Sequence, residues 1–189
     1  RRMDDMVDYA REQDVDLVVF AGDAFKTRSP NQTYQREFAH RIRDLSKIAP
    51  TVLLVGNHDL PINVLKASTI EIYQTLDVPN IWVAQDYEVK RIQTKRGDVV
   101  IGSAPYPIRA RIMSDINTRG MTVAQQDQEL QKILHQLLED LAAQADELAG
   151  EDVPHAEWRF YHRTSEGITL DADAFLESRG GTVRYVLKL

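Results

Sequence analysis

The chain of 189 residues is long enough for one sizeable core, or for one larger domain with a small appendage. Hydrophobic residues make up 43% and charged residues 28%, a balance that disfavours disorder, and no apolar run approaches the ~20 residues that a membrane span needs. The formal net charge of -6 argues against a protein coated in positive charge, and the lack of cysteine excludes disulfides and thiolate-bound zinc, leaving histidine, asparagine and carboxylates as metal ligands.

Residues 1–13 show no secretory signal, and a cytoplasmic location without membrane attachment is expected. Met3, Met6, Val7 and Ala10 in that stretch fall at helical spacing with no N-cap before them. "VDLVVF" (15–20) follows as an unbroken apolar strand, suited to a central position covered on both faces, and leads into Gly22 and Asp23. From Asn31 to Ala49, Tyr34, Phe38, Ile42, Leu45 and Ile48 paint one face of a helix that Pro50 limits. "TVLLV" (51–55) is the next buried strand and runs into "GNHD". The order strand, helix, strand predicts a parallel arrangement with both tips at the C-terminal ends of strands, where ligands gather in α/β sheets.

A further helix is predicted at 65–76, then shorter strands in "NIWVA", "YEVKRI" and "DVVIGSAPYP", with "KRGD" as a turn. Residues 122–149 carry the longest helical pattern, with Leu130, Leu134, Leu137, Leu141, Ala145 and Leu148 on one stripe and Gly150 as its stop. Beyond "GEDVP" the texture changes to two strands and a short helical or turn segment, a small α+β appendage. The basic stretches "KRIQTKR" (90–96) and "PIRARIM" (107–113) read on charge alone as solvated surface or as a local basic groove.

The two strand tips carry the chemistry. An aspartate at one and Asn-His at the next are what a divalent cluster acting on phosphate needs: a carboxylate bridges cations, an amide oxygen completes a coordination shell, and a histidine contacts phosphate or protonates a leaving oxygen. Gly22 and Gly56 let the backbone turn sharply after each strand. Singly, Asp23 is equally a turn or helix cap, Asn57 a turn residue and His58 a hydrogen-bonded histidine at a sheet edge.

"GDAF" with "GNHD" resembles the calcineurin-like metallophosphoesterase pattern, and "GDAFKTRSPNQTYQREFAHRI" through "LLVGNHDLP" is similar to the SbcD-type nuclease subunits of bacterial double-strand-break repair complexes. The resemblance implies a metallophosphoesterase-type β-sandwich flanked by helices over 1–154, with part of a small α+β capping and DNA-binding domain over 155–189. It implies phosphodiester hydrolysis by metal-activated water with two manganese ions, magnesium being the alternative, in which Asp23 bridges the ions, Asn57 ligates one of them and His58 is the catalytic histidine facing the scissile phosphate. Asp59 would tie the loop to its surroundings. Tyr106, Arg109 and Arg111 follow a strand whose end should reach the same rim and are candidates for DNA-backbone contact, with Lys26 and Arg28 as weaker ones.

The family's Asp-x-His strand, its lone metal histidine and its Gly-His-x-His motif do not occur in this chain. His40 and His135 fall in predicted helices, and His155 and His162 follow no buried strand with the required glycine. The expectation is that segments before Arg1 and between Pro154 and His155 supply the remaining ligands. The partners implied are DNA ends, an SMC-like ABC-type ATPase of the SbcC kind and a second copy of the chain, with the helix at 65–76 as candidate dimer contact. A small-nucleotide phosphodiesterase of the same fold and a non-catalytic DNA-binding or assembly piece are the alternatives.

Overall fold

The computed structural model describes residues 2–61, 67–114, 116–150, 156–158 and 174–176. Helix α1 (Arg2–Glu12) leads into strand β1 (Val18–Phe20), helix α2 (Gln32–Ser46), strand β2 (Thr51–Leu54), the one-turn helix α3 (Ile72–Thr75) and strand β3 (Ile81–Ala84). The three strands form a parallel sheet in the order β1-β2-β3, with Val19 opposite Val52 and Val52 opposite Trp82. β4 (Glu88–Thr94) and β5 (Gly97–Ser103) make an antiparallel hairpin closed by Lys95 and Arg96, and α4 (Arg109–Ile112) and α5 (Val123–Ala149) follow. The chain forms two compact units, Arg1–Leu148 and Ala149–Leu189. In the second, β6 (Ala156–Trp158) pairs antiparallel with β7 (Ala174–Leu176). The rest of the C-terminal appendage lies outside the described residues, as do His155 and His162.

α2 forms where its apolar period predicts. Asn31 stays extended (φ -61, ψ 140) and its side-chain oxygen accepts the Thr33 N–H at 2.7 Å, which satisfies one of the helix's orphan donors. Phe38, Ile42 and Leu45 on the inner face are buried together with Val7 and Ala10 of α1 and Leu53, Val55 and Val83 of the sheet region. Each of the valine, leucine, isoleucine and phenylalanine side chains contributes ~1.5–3 kcal/mol by leaving water, and Ala10 less. Aromatic rings knit this core: Phe38 meets Phe20 edge-on at 5.4 Å and Phe25 at 5.1 Å between centroids.

Three expectations are corrected. β1 is shorter than 15–20 and, among the described residues, pairs only with β2, so Val19 is 47% exposed and the strand is not doubly covered. Tyr34, on the predicted apolar stripe, lies one turn before the aromatic cluster and is 70% exposed. Within residues 67–76, the described part of the predicted helix at 65–76, helix is confined to the single turn of α3, ahead of which Thr69 donates its N–H to the Asp59 carbonyl at 3.0 Å and Ser68 its N–H to the Glu71 carboxylate at 3.0 Å. Both bonds are spent before the N-cap of α3, Glu71, so the backbone enters the helix only at Ile72.

The basic stretch 90–96 is consumed internally. Lys90 stands 4.7 Å over the Trp82 ring and 3.3 Å from Glu88, and Arg91 pairs with Asp98 at 2.6 Å. The hairpin tip grips the loop between α1 and β1: Lys95 pairs with Asp14, and Arg96 pairs with Asp16 and reaches the Asp14 carbonyl at 2.9 Å and its carboxylate at 2.8 Å. The Lys95 hydrogen bond, aided by the charge of Arg96, holds the Asp14 carboxyl below its ordinary 3.8. A carboxyl depressed in this way adds stability above its unfolded pKa and loses it as pH falls through the folded value. A Lys95→Ala/Arg96→Ala variant should therefore melt below the wild type at about pH 7 and converge on it in acid below the ordinary carboxyl range. Parallel melting curves across that range would show that the latch contributes nothing.

Candidate active site

Because β1 and β2 run parallel, the loops that leave their C-terminal ends emerge on one side of the sheet. After β1 the chain takes two left-handed residues in succession, Gly22 at φ +97 and Asp23 at φ +53. Aspartate tolerates that region better than most side chains, yet the conformation carries strain and persists only where the surroundings fix it. Phe25, buried to 8% exposure against Phe38, anchors the far end of the turn in the core. "GDAF" is thus a tight exit with an aspartate at its apex and an aromatic plug behind it.

After β2, Gly56 begins a turn closed by the Asp59 N–H donating to the Gly56 carbonyl at 3.3 Å. This turn meets the first loop at backbone distance. A Cβ placed on Gly56 would fall 2.3 Å from Asp23 Oδ1 and 2.4 Å from the Asp23 nitrogen, so only glycine admits the contact. The His58 N–H donates to Asp23 Oδ1 at 2.9 Å, leaving the other carboxylate oxygen for a ligand. Asn57 and His58 are half-buried on the same turn, whereas Asp23 is exposed.

Asp59 joins the two loops from below. It is fully buried, with Oδ1 accepting the Ala24 N–H at 2.9 Å and Oδ2 accepting the Gly56 N–H at 2.9 Å. Its carbonyl in turn accepts the Thr69 N–H. Burial pushes the carboxyl above its ordinary 3.8, and the two main-chain donors oppose that shift.

The predicted rim residues separate into two groups. Tyr106 reaches the site, since its N–H donates to the Val55 carbonyl at 3.0 Å, immediately before Gly56. Arg109 and Arg111, in α4, are engaged elsewhere: Arg109 with Asp127 and, at 3.5 Å, with Gln126, and Arg111 with Asp86 at 3.4 Å. Lys26 and Arg28 are exposed on the loop that follows Asp23 and have no acidic partner among the described residues. The sequence gives no sign that acids 18 residues downstream of Arg109 and 25 upstream of Arg111 fold back onto them. The contact of Gly56 with Asp23 was equally hidden, being a property of two loops that close only when the sheet forms.

Asp23 and Asn57 fit a hard divalent ion in kind, both offering oxygen, but they are two donors where such ions take about six. Among the described residues no three histidine, aspartate, glutamate or cysteine side chains converge on a metal position. His40 and His135 lie in α2 and α5. The sequence model of the calcineurin-like phosphoesterases matches residues 1–184, and none of the curated proteins compared with the chain matches it. Members of that family bind divalent metal ions and hydrolyse phosphoesters.

Truncating Asp59 to alanine removes the acceptor of two half-buried N–H groups and should cost ~2–4 kcal/mol in urea denaturation. Asp59→Asn keeps one acceptor and should cost about half as much. A loss in Asp59→Ala no larger than that of a surface substitution would mean that the carboxylate does not hold the loops together.

Proposed function

The chain belongs to the calcineurin-like phosphoesterase family, and from that premise we propose that it is the nuclease subunit of an SbcD-type double-strand-break repair complex, hydrolysing DNA phosphodiesters with manganese. The observation that carries the reading is the seam between the two loops, where the His58 N–H rests on Asp23 Oδ1 and Asp59 fixes both backbones from beneath. The spacing of the "GDAF" and "LLVGNHDLP" motifs supports the choice of nuclease over other phosphoesterases.

In this reading Asp23, through the carboxylate oxygen not bonded to His58, and the Asn57 amide oxygen would hold metal. When bound, the ions supply positive charge to the scissile phosphate and lower the pKa of the attacking water. The His58 main chain is pinned by its bond to Asp23, which fixes the Cα from which the imidazole contacts the phosphate and gives a proton to the leaving oxygen. Lys26 and Arg28 take backbone phosphates on the approach to the site, a role their lack of acidic partners favours over Arg109 and Arg111. The net charge of -6 leaves binding to such local cations rather than to the surface as a whole.

The same resemblance completes the fold as a β-sandwich flanked by helices, with a nuclease domain over 1–154 and a capping domain over 155–189. It also gives a cytoplasmic homodimer in contact through the segment around α3, fed with DNA ends by an SMC-like ATPase. No helix among the described residues is long and apolar enough to cross a membrane.

The test uses the full-length protein with manganese and linear duplex DNA. His58→Ala should lose ~10²–10⁴-fold in cleavage rate while melting like the wild type. Wild-type cleavage in that variant would remove His58 from the chemistry. In binding assays, Lys26→Ala/Arg28→Ala should make the slope of log affinity against log salt shallower by about 1.8, one contact's worth for each cation. Arg109→Ala should leave that slope unchanged, and the opposite ranking would restore α4 as the DNA-contacting element.

A further inference from the structure

The loop between β5 and α4, "APYPI" (104–108), does more than pass beside the site. Pro105 is buried, its carbonyl accepts the Tyr87 hydroxyl at 3.3 Å, and Pro107 follows Tyr106 directly. Tyr106 therefore sits between two residues of fixed φ, with its own N–H bonded to Val55 one residue before the Gly56 turn. In spite of this anchoring the side chain is 51% exposed. A rigid backbone that presents a large half-exposed ring pays little conformational entropy when a flat ligand covers that ring.

We propose that Tyr106 is a stacking platform for the nucleobase next to the scissile phosphate, so that the site takes nucleotides through base as well as phosphate. The inference rests on the nuclease reading given above and goes beyond it. A contact from the phenol to a phosphate needs only the hydroxyl, and the unpartnered cations Lys26 and Arg28 already supply phosphate contacts on the loop after Asp23. What those cations cannot supply is a flat apolar face, and every base offers one to an aromatic ring irrespective of sequence. The bond from Tyr106 to Val55 involves only its main chain, so changes to the ring leave the loop's attachment intact.

Two single-stranded oligonucleotides of equal length, one of thymidines and one abasic throughout, separate base from backbone. With the full-length protein and manganese, the wild type should cleave the thymidine strand with a kcat/KM about tenfold above the abasic one. Tyr106→Phe should keep that preference, and Tyr106→Ala should erase it by losing activity on the thymidine strand alone. A preference that survives in Tyr106→Ala, or an equal loss on both strands, overturns the proposal. If the wild type cleaves neither strand nor linear duplex DNA, the nuclease reading fails, and binding decides the platform separately. With calcium in place of manganese, an oligonucleotide carrying 2-aminopurine should be quenched on binding by the wild type and Tyr106→Phe but not by Tyr106→Ala. Equal quenching in all three proteins overturns the stacking role whatever the enzyme's activity.

Discussion

A single buried carboxylate holds the candidate site together. Asp59 is wholly removed from water and accepts one N–H from each of the two loops that leave the parallel strands. Bonds of this kind to a charged acceptor are stronger than those between neutral groups, and in a buried setting they are screened little by solvent. Their cost is visible in the raised carboxyl pKa, since burial disfavours the charge that makes the bonds strong. The loops and the carboxylate are therefore mutually dependent: without the loops the charge is unsolvated, and without the charge two main-chain donors lose their partners.

That constraint propagates outward. With Ala24 and Gly56 fixed, Asp23 is forced to φ +53 and its carboxylate to within 2.9 Å of the His58 nitrogen. Strain at an exposed aspartate is affordable only because Phe25 is locked into the aromatic core formed with Phe20, Phe38 and, at 6.3 Å, Tyr73. The hydrophobic burial under α2 and the polar geometry above the sheet are thus one structure. A phosphoester-cleaving site needs ligands held before the substrate arrives, and the buried Asp59 holds both loops through their main chains.

Charge is distributed to the same end. In an acidic chain most cations of the described residues are spent on neighbours: the hairpin lysines and arginines on Asp14, Asp16, Asp98 and Trp82, and those of α4 on Asp86 and Asp127. Lys26 and Arg28, on the loop after Asp23, are left facing solvent.

Much of this was legible from residues alone. The helix over α2, the strand at 51–54 and the long helix to Ala149 followed from apolar period and punctuation, and the meeting of "GD" with "GNHD" followed from strand order and the position of parallel strand ends. Less legible were features that depend on tertiary partners. Within the described residues 67–76 helix is confined to α3, after the Thr69 and Glu71 hydrogen bonds, the exposure of Val19 and Tyr34 depends on what lies opposite them, and the engagement of Arg109 and Arg111 depends on distant acids. Periodicity reports a face but not its cover.

The measurement that tests the account most directly is a manganese titration of the full-length protein followed by NMR of the histidine ring signals. If Asp23 and the Asn57–His58 turn form one metal site, the His58 ring should broaden before those of His40 and His135, and Asp23→Asn should abolish that broadening without lowering the melting temperature. Broadening of His58 that is unchanged in Asp23→Asn, or that appears first at His40 or His135, would contradict the account.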